Sequence, residues 1–381
     1  MKKKEREMQV LYDYLKVNGG AEAVFHSILD TLGKSANGVV DFISKGYPLI
    51  SNAQPPIRTL QKREYRVGSF SHFFTPWKFY RFTPASSNEV IFSSGLYAIF
   101  SSMNVTAQTL RIYYCHTPPR HWYDLRSFYS KNTSLFVRVA LSLQELLFKS
   151  RYELACSRQH LIIANSVHVK NRIEKYLGLD SVVIYPPCNI KKYDWLGQGD
   201  YYLSTSRLEP YKRVKLIVEA FTRMPHKKLI VASGGSQLSE LIKLAKGHAN
   251  ISFTGWCDEQ KLISLIGNCI ATIYMPIAED FGISPVESMA AGKPVIGVQE
   301  GGVIETVIDG ETGVLCPSDP SVENVIDAVA SLGKDVALTM RESCVSRAQR
   351  FSEKVFTDKI SLLSQADSTS IKDVAKKVDA S

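Results

Sequence analysis

Two glutamates with seven residues between them, Glu279 and Glu287, frame the run Glu279-Asp280-Phe281-Gly282-Ile283-Ser284-Pro285. Gly282 permits a backbone turn that side-chain-bearing residues resist. The pattern predicts Ser284 as a helix N-cap, Pro285 as the first helical residue and Gly292 as the end of that helix. The amides of Phe281, Gly282 and Ile283 then face outward at a helix amino end, where anions and hydroxyls bind. The two carboxylates bracket a ligand about as long as a nucleotide bearing a sugar.

Three other clusters have matching chemistry. In Ser204-Thr205-Ser206-Arg207-Leu208-Glu209-Pro210-Tyr211-Lys212, Arg207 is able to grip phosphate oxygens bidentately and Lys212 adds a point charge. A departing diphosphate needs such charge. No Asp-x-Asp pair is present to hold a divalent metal for that task. Cations and a helix amino end are expected to serve without metal or other cofactor. Gly19 and Gly20 precede a helical pattern and would admit a phosphate close to backbone amides. They form neither a dinucleotide fingerprint nor a P-loop. His116, in Tyr114-Cys115-His116-Thr117-Pro118, follows an apolar run and would hydrogen-bond a ligand at a strand end.

These residues need elements that end where they begin. Short β-branched or aromatic runs alternate with helical patterns along the chain, which predicts parallel sheets flanked by helices. Strands are expected near Met8–Leu11, Val39–Ile43, Val90–Phe92, Arg111–Cys115, Leu161–Asn165 and Val182–Tyr185. A second set lies near Tyr201–Ser204, Lys228–Ala232, Ile251–Phe253, Ala271–Tyr274, Pro294–Gly297 and Gly313–Cys316. Two prolines, two glycines and polar residues between positions 185 and 200 mark a linker. The expected domains are therefore 1–187 and 198–354, with a helix from about 355 returning to the first. The tail from Asp367 reads as weakly ordered.

The 381 residues suit two such domains, and 45% hydrophobic with 22% charged residues is ordinary for a globular protein. No apolar run is long enough to span a bilayer, and none follows the charged start as a secretory leader would. Seven scattered cysteines without a Cys-x-x-Cys pair fit a reducing cytoplasm. Residues 1–190 carry 24 Lys and Arg against 13 Asp and Glu, whereas residues 191–381 carry 22 against 24. The basic first half is suited to an anionic partner: nucleic acid, a membrane surface or a phosphorylated acceptor. A nucleic-acid-binding protein would leave the paired glutamates and the Arg–Lys cluster without a task.

Together these residues resemble retaining glycosyltransferase family 4, an α/β family of GT-B fold with two Rossmann-like domains facing a central cleft. The resemblance is strongest from Tyr201 to Pro317. It rests on Glu279 and Glu287, on Arg207 and Lys212, on Gly19-Gly20 and on His116. It implies a nucleotide-sugar donor whose ribose meets Glu287. The donor sugar would meet Glu279, His116 and the amides of Phe281, Gly282 and Ile283. Arg207 and Lys212 would stabilise the departing diphosphate, and the base would lie near Gly255 and Trp256. The segments around His116 and Val183-Ile184-Tyr185-Pro186-Pro187 are similar to bacterial O-antigen mannosyltransferases. That likeness implies GDP-mannose as donor and an undecaprenyl-pyrophosphate-linked oligosaccharide as acceptor, with a UDP-sugar (glucose, galactose or an N-acetylhexosamine) as the alternative donor.

Basic and aromatic residues interleave over residues 57–82. The expectation is that Phe73, Phe74, Trp77 and Phe79 enter a membrane interface while Arg58, Lys62, Arg63, Arg66, Lys78 and Arg81 meet phosphates. The protein would then be cytoplasmic and peripheral on the inner face of the cytoplasmic membrane.

Overall fold

The computed structural model describes residues 6–16, 19–47, 55–61, 74–85, 89–126 and 134–380. The chain divides into two compact units, Met1–Pro187 with Phe356–Ser381, and Cys188–Val355.

The first unit is built on seven parallel strands among the described residues: β1 Met8–Tyr12, β2 Ala36–Val40, β3 Ile57–Thr59, β4 Val90–Ser94, β5 Leu110–Cys115, β6 Leu161–Ala164 and β7 Val182–Val183. Their order is β3-β2-β1-β4-β5-β6-β7. Successive side chains go to opposite faces. Val10, Phe92, Ile112, Tyr114 and Ile163 enter one core, and Leu11, Ile91, Tyr113, Cys115 and Ile162 enter the other. Burial on both faces explains the near-continuous apolar runs of these strands. The sequence reading missed β3, whose three residues at a sheet edge are too few for a period to register.

Helix α1, Gly20–Leu32, covers the first face with Val24, Phe25, Ile28 and Leu29. The helices Glu353–Gln365 and Ile371–Ala380 join it there through Phe356, Ile360, Leu363, Ile371, Ala375 and Val378. The tail after Asp367 is thus ordered, contrary to expectation. Its apolar residues recur at i, i+4 and i+7, and the Asp367 carboxylate accepts hydrogen bonds from the amides of Thr369 and Ser370. The opposite face carries α2 Thr75–Arg81, α3 Leu135–Ser157 and α4 Val167–Leu177.

The aromatic segment 57–82 divides. Phe79 is fully buried, which corrects its assignment to a membrane interface: it lies on the inner side of α2, beneath the sheet. Lys78 is committed to Asp41 at 3.0 Å. Phe74 and Trp77 are exposed. Lys62, Arg63, Arg66 and Phe73 lie outside the described residues.

The second unit has six parallel strands among the described residues: β8 Tyr201–Ser204, β9 Lys228–Val231, β10 Ile251–Phe253, β11 Thr272–Ile273, β12 Val295–Val298 and β13 Gly313–Cys316. The order β10-β9-β8-β11-β12-β13 reverses direction between β8 and β11, the switch point where open α/β sheets bind ligands. Helix α5, Val214–Thr222, buries Val214, Ile217, Val218 and Phe221 against this sheet. It is followed by α6 Leu238–Leu244, α7 Glu259–Asn268 and α8 Ile283–Ala290.

The stretch read as a linker is pinned to this unit. Buried Lys293 donates to the carbonyl of Gly197 and to Gln198 Oε1, and lies 5.2 Å from the Trp195 ring centroid. Cys188 pairs with Ser352 in a parallel bridge, its amide donating to Phe351 and its carbonyl accepting from Glu353.

Candidate active site

The loops after β8 and β11 bring two of the sequence-predicted residues together. Lys212 Nζ lies 2.5 Å from Glu279 Oε2 and 3.3 Å from the Tyr274 hydroxyl. The Lys212 side chain is 9% exposed and that of Glu279 is 20% exposed. Partial desolvation strengthens the attraction, since the effective dielectric falls well below that of water. Burial first, and then the Glu279 charge, push the Tyr274 phenol far above its ordinary pKa, while Arg207 opposes the shift. Arg207 is exposed and its side chain takes no hydrogen bond or ion pair among the described residues. Its guanidinium is therefore available to a ligand.

The backbone around this pair is held in costly conformations. Arg213 and Ala278, the non-glycine residues with positive φ among the described residues (53° and 43°), directly follow Lys212 and directly precede Glu279. Left-handed backbone at such residues costs about 1–3 kcal/mol each and survives only where its surroundings impose it. Here they do. The Tyr211 carbonyl accepts from the Ile277 amide, the Glu279 carbonyl accepts from the Gly302 amide at 2.7 Å, and Arg213 meets Glu300 at 3.1 Å. The loop after β12 packs so closely that a Cβ on Gly301 would stand 2.5 Å from the Glu279 carbonyl oxygen. One on Gly302 would stand 2.5 Å from Phe281 Cα.

Helix α8 begins beside Glu279. Gly282, with φ 85°, is its N-cap, and no side chain caps it. Ser284 and Pro285 therefore sit inside the first turn rather than at the cap and first position, because Gly282 reaches the left-handed turn two residues earlier than the cap rule placed it. The first-turn amides, including that of Ile283, have no intrahelical partner, and the helix dipole adds partial positive charge there. Phe281 is buried, with its ring 5.5 Å from that of Phe351. Further along, Glu287 accepts a hydrogen bond from the Tyr193 hydroxyl at 2.8 Å. Burial raises the Glu287 pKa and this bond opposes the rise.

Gly255 (φ 67°) and Trp256 follow β10. The Trp256 ring is exposed and lies over Gly234, where a Cβ would collide with the indole. The ends of β9 and β10 thus present an aromatic face beside a bare backbone.

His116 and Gly19-Gly20 belong to the first unit, at the carboxyl ends of its strands. His116 Nε2 lies 2.8 Å from Ser94 Oγ, and the ring meets Tyr114 and Tyr12. Burial lowers its pKa to about 4, so the imidazole is neutral at physiological pH and acts as a hydrogen-bonding group rather than a cation. The segment that follows is braced by Arg172, which donates to Thr117 Oγ1 at 2.6 Å and pairs with Asp124 at 2.7 Å. Gly19 is the N-cap of α1, in extended conformation. A Cβ there would stand 3.0 Å from Glu22 Oε2, whereas one on Gly20 would meet nothing. Neither glycine is sterically demanded, since the Glu22 side chain is free to give by a few tenths of an ångström, and the carboxylate that Gly19 faces competes with an anion at this helix end.

Sequence reasoning singled out Gly301-Gly302 only as part of the family resemblance, and it missed Tyr193, Tyr274, Arg213 and Glu300. Tyr274 carries a signal, as the residue closing the strand before Glu279. The others are brought in by chain topology alone.

Residues 188–351 match the family model of glycosyl transferases group 1. The α-1,3/1,6-mannosyltransferase ALG2 of Dictyostelium discoideum is 26% identical over 313 residues, 70% of each chain. Glycogen synthase of Mycobacterium tuberculosis is 33% identical over 159 residues, 40% of this chain and 38% of the relative. Among solved structures, Anabaena HepE in complex with UDP and glucose superposes with a TM-score of 0.71 at 19% identity, covering 94% of this chain and 99% of that one.

Proposed function

From the premise that this chain is a GT-B glycosyltransferase, whose residues 188–351 belong to the glycosyl transferases group 1 family, we propose that it transfers an α-mannosyl residue from GDP-mannose to a lipid-linked oligosaccharide with retention of configuration. The observation that carries this reading is the Lys212–Glu279 pair beside the amino end of α8, at the switch point of the second sheet.

In this reading Arg207, Lys212 and the first-turn amides of α8 stabilise the diphosphate as it leaves. Glu279 and the neutral imidazole of His116 hold sugar hydroxyls. The ribose meets Glu287, which Tyr193 orients, and the base lies against Trp256. The bond from the anomeric carbon to the diphosphate breaks while the acceptor oxygen bonds to the same face of that carbon. The acceptor proton passes to the departing phosphate oxygen. The acceptor would be an undecaprenyl-pyrophosphate-linked glycan of surface polysaccharide assembly, reached by a protein peripheral on the inner face of the cytoplasmic membrane.

The mannosyl donor is favoured by the likeness to ALG2 over 70% of the chain. A UDP-sugar donor is the second reading, favoured by the higher identity to glycogen synthase over a shorter span. Calorimetry with GDP-mannose, GDP, UDP-glucose and UDP separates them. Binding of GDP and GDP-mannose without UDP is the expected result. Preference for UDP would overturn the donor, and binding of none would overturn transfer itself.

A further inference from the structure

Helix α3 has apolar residues on two opposite sides. Its core side is Phe148, Tyr152, Ala155 and Cys156, all buried. A surface helix ordinarily turns charged and polar residues outward from such a face. Here Leu135, Val139, Leu143 and Leu146 follow at i, i+4, i+8 and i+11, and every one is exposed. At 3.6 residues per turn they fall in an arc of roughly 80°, on the side away from the core. Phe136 widens the stripe, and it and Leu146 are 72% and 81% exposed.

Helix α2 packs on the other side of α3. The Trp77 ring of α2 meets that of Phe148 at 5.4 Å, and the Arg151 guanidinium lies 5.8 Å from the Tyr80 ring centroid. This leaves the outer stripe of α3 uncovered by α2 among the described residues. An exposed apolar stripe of this kind marks an interaction site.

We propose that the outer face of α3 lies in the interface of an anionic lipid bilayer. The charges argue for lipid. Arg138 on α3 is exposed and takes no ion pair or side-chain hydrogen bond among the described residues. The acids of α3 are engaged: Glu145 by Arg126 and Lys149, and Glu153 by the Tyr123 hydroxyl. An apolar and aromatic stripe with a free cation on the same helix suits acyl chains beneath anionic headgroups. A second copy of the chain would set this cation against its counterpart. The surface rests on the lipid-linked acceptor reading only for its purpose, which is to keep the enzyme where that acceptor is.

Flotation of the purified protein with phosphatidylcholine vesicles, with and without added phosphatidylglycerol and with no sugar present, tests this. The wild type is expected to float with the phosphatidylglycerol vesicles and to bind the neutral ones far less. Phe136→Asp with Leu146→Asp should weaken partition at least about tenfold while leaving the circular dichroism spectrum unchanged, because both side chains are already in water. Arg138→Ser should weaken it severalfold on anionic vesicles only. If the Asp variant fails to fold, Leu146→Ser provides the same reading. Failure of the wild type to float, wild-type partition in the apolar variants, or a wild-type dimer that Leu146→Asp dissociates would each overturn the proposal. Donor binding measured on the same preparations separates the two readings: intact binding without flotation removes the surface alone, and flotation without donor binding removes the transferase assignment alone.

Discussion

Lys212 and Glu279 form a single charged unit, and their variants should behave as one. Removing either leaves a partly buried charge without its partner, at a cost of about 1–3 kcal/mol of stability. The loss in turnover should be larger, on the order of 10²–10³-fold, as for removal of one group that stabilises a developing charge. Lys212→Ala with Glu279→Ala should therefore lose far less than the product of the two single effects. Steady-state rates for the three variants, with denaturation midpoints alongside, check this. Multiplicative losses would mean that the two residues act separately.

His116 makes a second prediction at this scale. Its folded pKa, about 4, lies below the ordinary 6.5, so the unfolded chain binds the proton more readily. Stability from this residue is complete above pH 6.5 and is lost as pH falls toward 4, on the order of 3 kcal/mol in all. Asp13 works in the opposite sense. Burial raises its pKa to about 6, even though it accepts from the amides of Leu96, Tyr97 and Ala98, so its contribution fades as pH rises through 6. The two offset each other in the wild type between about pH 4 and 6. His116→Gln should remove one limb, leaving a protein whose urea midpoint falls as pH rises across that window. A profile unchanged by the substitution would contradict the assignment.

At the scale of elements, the loop after β12 is the mould for Glu279. A methyl on Gly302 would stand 2.5 Å from Phe281 Cα, so Gly302→Ala should displace the turn that carries Glu279 and the first amides of α8. A displacement near 1 Å costs roughly 10²-fold in rate. The core of the unit does not include this loop, so the far-UV spectrum and cooperative melting should persist. This mould marks the limit of what the sequence carried. The Glu279–Glu287 run was legible because its signals are local: a glycine for the turn, acids at fixed spacing and a glycine at the end. The strand pattern was legible for the same reason, since burial on both faces writes apolar runs directly into the chain. Arg213 meeting Glu300 was not, because 87 residues separate them and only the parallel order of β8, β11 and β12 closes the distance. Tyr193 was hidden likewise, inside a stretch whose prolines and glycines read as a linker. Phe79 was misread because an interleaved basic and aromatic pattern looks the same whether a ring turns outward or inward.

At the scale of the whole molecule, the family match ends where the second unit ends, near residue 351. That unit has its own sheet, its own core and both members of the Lys212–Glu279 pair. A fragment of residues 188–355 should therefore fold alone, melt cooperatively and bind nucleotide, while losing transfer. Calorimetry and thermal melting of the fragment check this, and a fragment that aggregates or binds nothing would contradict it. The pairing of Cys188 with Ser352 adds a consequence. The entrance and exit of the second unit lie side by side, so it is a cassette slotted into a first unit whose own sequence is interrupted. In the proposed reading, recombination could then exchange the donor-binding cassette through two neighbouring joints while leaving the acceptor-side unit in place. In such a scaffold, donor and acceptor preferences are free to evolve as separate inheritances.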